Sequence, residues 1–295
     1  MTISASMVKD LRVRTGAGMM ECKRALTEVE GDIDAAIELL RKKGAASADK
    51  KAGRIAAEGV VFATFSDDGK AATLVEVNCE TDFVAKDEGF VSFVSQVALS
   101  VQRDNPADTQ ALSSLSLGDK GQTVEEARKA LIGKIGENIS IRRFISWQAE
   151  EGSQLSGYLH GSRIGVLVEH TGSNQNLGRD IAMHVAASQP LCVSTDEIPR
   201  DVLDKERKIY KAQAMESGKP EAIMEKMVEG RVNKFKKENT LLGQPFVKDP
   251  DLSVEKVLSA EGESILRFIR YEVGEGIEKR EDDFVSEVMA QAKGG

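Results

Sequence analysis

Residues 74–82 read LVEVNCETD, and residues 167–175 read LVEHTGSNQ. Each forms the second arm of a β-hairpin. In the first, VVFATF (60–65) and ATLVEVNC (72–79) flank SDDGK, with Asp68-Gly69 in the turn. In the second, LSGYLH (155–160) and IGVLVEHTG (164–172) are joined by a short turn. An amphipathic helix follows each hairpin. Phe90, Phe93, Val94, Val97, Ala98 and Val101 form the apolar face of the first, and LGRDIAMHVAAS (177–188) spells the second. A strand then closes each unit: ISIRRFISW (139–147) and ILRFIRYEVGEG (265–276). Here too the copies resemble one another, as ENISIRRF (137–144) and ESILRFIRY (263–271). The repeated order predicts an α+β fold whose core is two similar hairpin–helix–strand subdomains. The first spans 55–150, and the second spans 151–198 and 239–274.

The second copy is interrupted at 199–238. Two charge-rich stretches, 199–217 and 220–238, read as helices joined at SGKP, with Gly218 at one end and Pro220 at the next start. Their few apolar positions suit a narrow seam, so an inserted antiparallel coiled-coil hairpin is expected. Within the first copy, TVEEARKALIGKIG (123–136) opens with a capping box, Thr123 and Glu126, and reads as helix. The stretch DNPADTQALSSLSLGDKGQ before it reads as polar loop.

Residues 4–44 read as three short helices. Val8 and Leu11 mark the first, which Gly16 and Gly18 break. Ala25, Leu26 and Val29 stripe the second, which Gly31 stops. Asp32 caps the third, with Ile33, Ala36, Ile37 and Leu40 on its buried face and Gly44 at its end. Residues 45–58 are alanine-rich and read as a helical linker, so 1–54 form a leading domain with its linker. The tail, 275–295, reads as a helical module with Ile277, Phe284 and Val288 on roughly one side.

Of the 295 residues, 41% are hydrophobic and 30% charged, which suits a globular chain of two or more domains. No apolar run reaches membrane-spanning length, and the leading MTISASMVKDLRVRTG has no signal-like apolar segment, so a cytoplasmic protein off the membrane is expected. The formal net charge of −8 argues against direct nucleic-acid binding, which needs a basic surface. Charge is uneven: residues 1–54 hold eleven Lys/Arg against eight Asp/Glu. A basic leading module on an acidic body points to a partner with an acidic face.

No phosphate-binding glycine loop is present. His160, His170 and His184 have no metal-ligand spacing, and Cys22, Cys79 and Cys192 are far apart without C-x-x-C, so neither metal nor cofactor is expected. His184 reads as a packed helix residue, His170 as a solvated strand end, and His160 as the tip of a hairpin. No local signature supports a Cys–His nucleophile, and no enzyme is expected. Phe83 is unusual, because turns seldom use an aromatic. It either fills the core, with Val84 as the exposed neighbour, or is offered to another molecule. Met19 and Met20 open the second helix on different faces, so one points outward if the other packs inward.

LRVRTGAGMMECKRAL, NCETDFVAKDEGF, KIGENISIRR, HGSRIGVLV, IAMHVAAS, GKPEAIMEKMVEGR, GQPFV and YEVGEGIEK together closely resemble bacterial elongation factor Ts, in that family's order from residue 11 to residue 279. The resemblance implies a ubiquitin-associated-like three-helix domain at 1–54, the two-subdomain core, the coiled coil and the C-terminal helical module. It implies guanine-nucleotide exchange on elongation factor Tu, in its GDP-bound and nucleotide-free forms, by displacing magnesium and loosening GDP. Carried over by motif, Thr81, Asp82, Phe83 and Val84 would form the magnesium-dislocating segment. Arg12, Met19, Met20 and Lys23 would meet the nucleotide domain of the GTPase. Ile135, Gly136 and His160 would lie on the core's contact surface, and Val247 of QPFV would add a contact. Whether a homodimer forms through the coiled coil is left open. The rival reading is a ubiquitin-associated-like adaptor without exchange activity; the TDFVA stretch argues against it, since an adaptor needs no such wedge.

Overall fold

The computed structural model describes residues 3–118, 121–216 and 219–278. The tail helix predicted beyond 278, with Phe284 and Val288, lies outside them. Helices α1 (Ala5–Thr15), α2 (Met19–Glu28) and α3 (Ile33–Lys51) come first. They close over Val8, Leu11, Cys22, Ala25, Leu26 and Ala36. Ser4 and Asp32 cap α1 and α3, each accepting a backbone N–H with its side chain.

Gly44 does not end α3, as its sequence context predicts. The helix continues to Lys51 because it crosses α6 (Val124–Ile135) closely at this point. A Cβ on Gly133 would lie 3.1 Å from Gly44 Cα. Glycine here serves close approach rather than termination. Ala48, one turn on, is buried in the core of the first sheet, so the linker docks the leading helices onto the body.

The first sheet has order β1-β2-β3, with β1 (Glu58–Phe65), β2 (Ala71–Cys79) and β3 (Ile139–Gln148). The second has order β4-β5-β8, with β4 (Ser153–His160), β5 (Ile164–Thr171) and β8 (Ile265–Glu272). All pairings are antiparallel. Helix α4 (Glu88–Asp104) covers one sheet and α7 (Gln175–Ser188) the other, and the sheets pack face to face between them. Alternation along the central strands shows the layering. On β2, Val75, Val77 and Cys79 face α4, while Ala72 and Leu74 face the second sheet. On β5, Val166 and Val168 face α7 and Leu167 faces the first sheet.

The repeat extends to the charges between the sheets. Glu76 of LVEV and Glu169 of LVEH are both fully buried. Glu76 accepts from Arg143 Nε at 2.6 Å, Arg142 Nη1 at 3.0 Å and Gly274 N at 2.8 Å. Glu169 accepts from Arg267 Nε at 2.6 Å, Ser153 Oγ at 2.5 Å and Glu150 N at 2.6 Å. Each arginine then stacks on an aromatic of the opposite sheet: Arg143 on Tyr271 at 4.2 Å and Arg267 on Trp147 at 4.4 Å. In both third strands the arginine precedes the aromatic by four residues, so the clasps are reciprocal. A register shift beside each glutamate places one extra residue, Arg142 or Leu266, before the arginine.

Between β2 and β3 the stretch read as polar loop contains α5 (Thr109–Ser113), seated by a fully buried Leu112. Between α7 and β8 lie α8 (Arg200–Met215), α9 (Glu221–Asn239), a small hairpin of β6 (Pro245–Phe246) and β7 (Asp249–Ser253), and α10 (Val254–Glu261). Helices α8 and α9 meet through a narrow seam of Ala214, Val228 and Val232, with Tyr210 and Met224 beside it. Pro220 sits one residue before α9, at its N-cap. Among the described residues no helix is long and apolar enough to cross a membrane.

Candidate partner-binding surface

β2 ends at Cys79, and the chain makes a short 3-10 turn, Val84–Lys86, before α4. Asp87 starts α4 by accepting from Phe90 N at 3.0 Å. Val84 and Ala85 are buried in the core and anchor the turn. Phe83, immediately before them, is 80% exposed. An aromatic this exposed, on a segment anchored from beneath, leaves its apolar area for another molecule. Asp82 beside it is exposed and paired with Lys86 Nζ at 2.7 Å. That hydrogen bond holds the Asp82 carboxyl below the usual carboxylate range, with Arg163 adding a weaker attraction, so the tip carries a negative charge at neutral pH.

Arg163 ties the β4–β5 hairpin to β1. It pairs with Glu58 at 2.6 Å, and Val61 N donates to Ser162 O at 2.8 Å, so the hairpin tip is braced on β1. His160, at that tip opposite Ile164, is exposed, with Nδ1 3.2 Å from the Tyr158 hydroxyl. Ile135 and Gly136 end α6; Ile135 is half-buried, and Gly136 is the left-handed C-cap at φ +88°. The next residue, Glu137, accepts from both Thr81 N and Thr81 Oγ1. The Thr81–Val84 segment and Ile135-Gly136 are thus brought together through Thr81 and Glu137, although they are far apart in the chain, while His160 sits on a separate hairpin tip braced on β1.

Arg12, Met19, Met20 and Lys23 are all exposed on α1 and α2. Neither methionine packs inward, at 56% and 65% exposure, because the buried stripe of α2 begins at Cys22. Val13 joins them at 77% exposure. Its position is legible in retrospect, because it lies roughly 200° around α1 from Leu11. Val247 is exposed on the β6–β7 turn, and its N–H donates to His184 Nδ1 at 3.2 Å.

His184 is fully buried, and its Nε2 lies 3.0 Å from Gln244 Oε1. Burial pushes its pKa below the ordinary value near 6.5, against a smaller opposing effect of Gln244. The unfolded chain therefore binds the proton first, and stability is fully present above that value and falls as pH drops through it. Denaturant midpoints should decline between about pH 7 and 5, and His184→Gln should flatten the decline in that window.

His170 is not a solvated strand end. It shares the face of Val166 and Val168 on β5, fully buried beneath α7. Its Nε2 lies 2.9 Å from Ser156 Oγ, and its Nδ1 3.0 Å from Glu263 Oε2. This serine–histidine–carboxylate order resembles a hydrolytic triad, but nucleophilic work needs room for a substrate. A Cβ on Gly178 would lie 2.4 Å from Ser156 Oγ and 2.3 Å from His170 Nε2, so α7 seals the group. It ties β4, β5 and the turn before β8 together. Cys79 is equally unsuited to attack, because burial pushes its thiol up to about 12 and keeps it protonated.

The family model for elongation factor TS matches residues 80–275. Elongation factor Ts of Thioalkalivibrio sulfidiphilus is 60% identical over 294 residues, covering 100% of both chains. That of Alkalilimnicola ehrlichii is 57% identical over 294 residues, again 100% of both. That of Methylococcus capsulatus is 56% identical over 293 residues, or 99% of each.

Proposed function

The chain belongs to the elongation factor Ts family, and from that premise we propose that it binds the GDP complex of elongation factor Tu in the cytoplasm and promotes exchange of GDP for GTP. The observation that carries this reading is Phe83, 80% exposed on a turn whose next residue is locked in the core. An exchange factor needs no nucleotide site and makes no covalent bond. It needs a surface that binds the empty GTPase better than the filled one, and by linkage it then weakens GDP by the same factor. Phe83 enters an apolar pocket of the GTPase and shifts the segment that positions magnesium. Because the metal supplies much of the charge that holds the phosphates, moving it loosens GDP. The negative Asp82 beside it either orients the tip or disturbs the metal's water shell. His160, Ile135 and Gly136 extend the contact on the same surface, and Arg12, Met19, Met20 and Lys23 form a second contact on the leading helices. Val247 adds a third.

The test is release of labelled GDP from elongation factor Tu. Substoichiometric amounts of the chain should accelerate release with turnover, and an unchanged rate would end the proposal. His160 braces affinity at a distance from the metal, so His160→Ala should weaken binding by about 1–2 kcal/mol. Saturating protein should then recover most of the maximal rate. A severe fall in that rate with unchanged affinity would place His160 in the exchange step instead.

A further inference from the structure

We propose that Glu137 is a positioning residue for exchange, holding the turn that carries Phe83 through a two-bond clamp on Thr81. The proposal rests on the reading of Phe83 given above. Glu137 Oε2 accepts from Thr81 N at 3.0 Å, and Oε1 accepts from Thr81 Oγ1 at 2.7 Å. One carboxylate thus fixes both the backbone and the side chain of a single residue, two positions before Phe83. The neighbouring pair repeats the pattern: Asn138 N donates to Glu80 Oε1 at 2.6 Å, and the Asn138 amide donates to the Arg54 carbonyl at 2.8 Å. Residues 137–138 therefore hold residues 80–81 side by side, directly after the Gly136 cap of α6.

The turn is fixed at two places with different jobs. Val84 and Ala85 sit in the core and hold it down after the tip. Glu137 holds it before the tip, where Thr81 and Glu137 are only half-buried. The Phe83 carbonyl accepts from Lys86 N at 3.1 Å, but its ring is 80% exposed in the free chain. Releasing the clamp leaves the core intact and lets the exposed ring range over more orientations. That freedom must be lost again when the ring enters its pocket, so the exchange rate falls while the fold survives.

A clamp and a charge make different forecasts for Glu137→Gln. The glutamine carbonyl can accept from Thr81 N, and its amide can donate to Thr81 Oγ1, because a hydroxyl both gives and takes a hydrogen bond. The clamp survives and the charge is gone. If Glu137 acted directly on magnesium or phosphate through its charge, glutamine would fail as badly as alanine.

The experiment measures maximal labelled-GDP release from elongation factor Tu by the full chain, with thermal unfolding of each variant. Glu137→Ala should slow release roughly tenfold, Glu137→Gln should stay within about twofold of the parent, and Thr81→Val, which removes the Oγ1 half of the clamp and the bond Oγ1 accepts from Val84 N at 3.4 Å, should be slower than Glu137→Gln. Melting temperatures should differ little. Combining Glu137→Ala with Phe83→Ala should be no slower than Phe83→Ala alone, since Glu137 acts through that ring. The proposal is overturned if Glu137→Ala releases GDP normally per folded molecule while Phe83→Ala is slow, if glutamine fails like alanine, or if the double variant shows the full product of both losses. Normal release by Phe83→Ala would overturn this proposal and the wedge reading together.

Discussion

Phe83→Ala is expected to slow GDP release from elongation factor Tu by about 30–150-fold, a cost of about 2–3 kcal/mol to the exchange step. The melting temperature should barely move. The ring is 80% exposed in the free chain, so its removal takes little from the folded state. A core phenylalanine would behave in the opposite way, losing about 3–5 kcal/mol of stability on truncation. Rate and unfolding measured on the same variant separate the two roles. A destabilised variant with normal exchange per folded molecule would reject the wedge.

Glu76→Ala should produce the other large effect, on stability rather than on chemistry. The carboxylate is fully buried and answers Arg142, Arg143 and the Gly274 N–H at once. Removing it leaves two guanidinium groups and a backbone donor with a buried charge missing. The expected cost is about 3–5 kcal/mol of unfolding free energy. A chemical-denaturation curve would show this as a lower midpoint. Glu169→Ala should behave alike, since its clasp with Arg267 and Ser153 is the counterpart in the second sheet. Both clasps lie between the sheets that carry Phe83 and His160, so affinity for the GTPase should fall along with stability. A loss below about 1 kcal/mol would mean that water replaces the carboxylate and that the clasp does not hold the sheets.

The strands and the repeat are legible in the chain because hairpin chemistry and side-chain alternation are local. Asp68-Gly69 marks one turn, and LVEVNC and LVEHTG mark the two central strands. The capping box of Thr123 and Glu126 fixes the start of α6 in the same local way. What is not legible depends on partners distant in sequence. Gly44 reads as a helix end, and only the approach of Gly133 explains why α3 runs through it. His170 reads as solvated because LVEH ends a strand; its alternation with Val166 and Val168 and the helix at 177–188 are local signals, but the packing of Gly178 over the imidazole is not. Helix α10 and the β6–β7 hairpin are not legible because short apolar runs with few turn residues carry little periodicity. At the candidate surface, the turn-like context leaves Phe83 either buried or offered, and the burial of Val84 in the core decides for exposure. The two-bond hold of Glu137 on Thr81 joins residues far apart in the chain, and no local pattern announces it.

The affinity of the chain for elongation factor Tu, measured by titration against the nucleotide-free protein and against its magnesium–GDP complex, tests the central claim most directly. Tighter binding to the nucleotide-free form is expected, by the same factor by which the bound chain weakens GDP. Equal affinity for the two forms would contradict it, because a partner that binds both states equally shifts nothing.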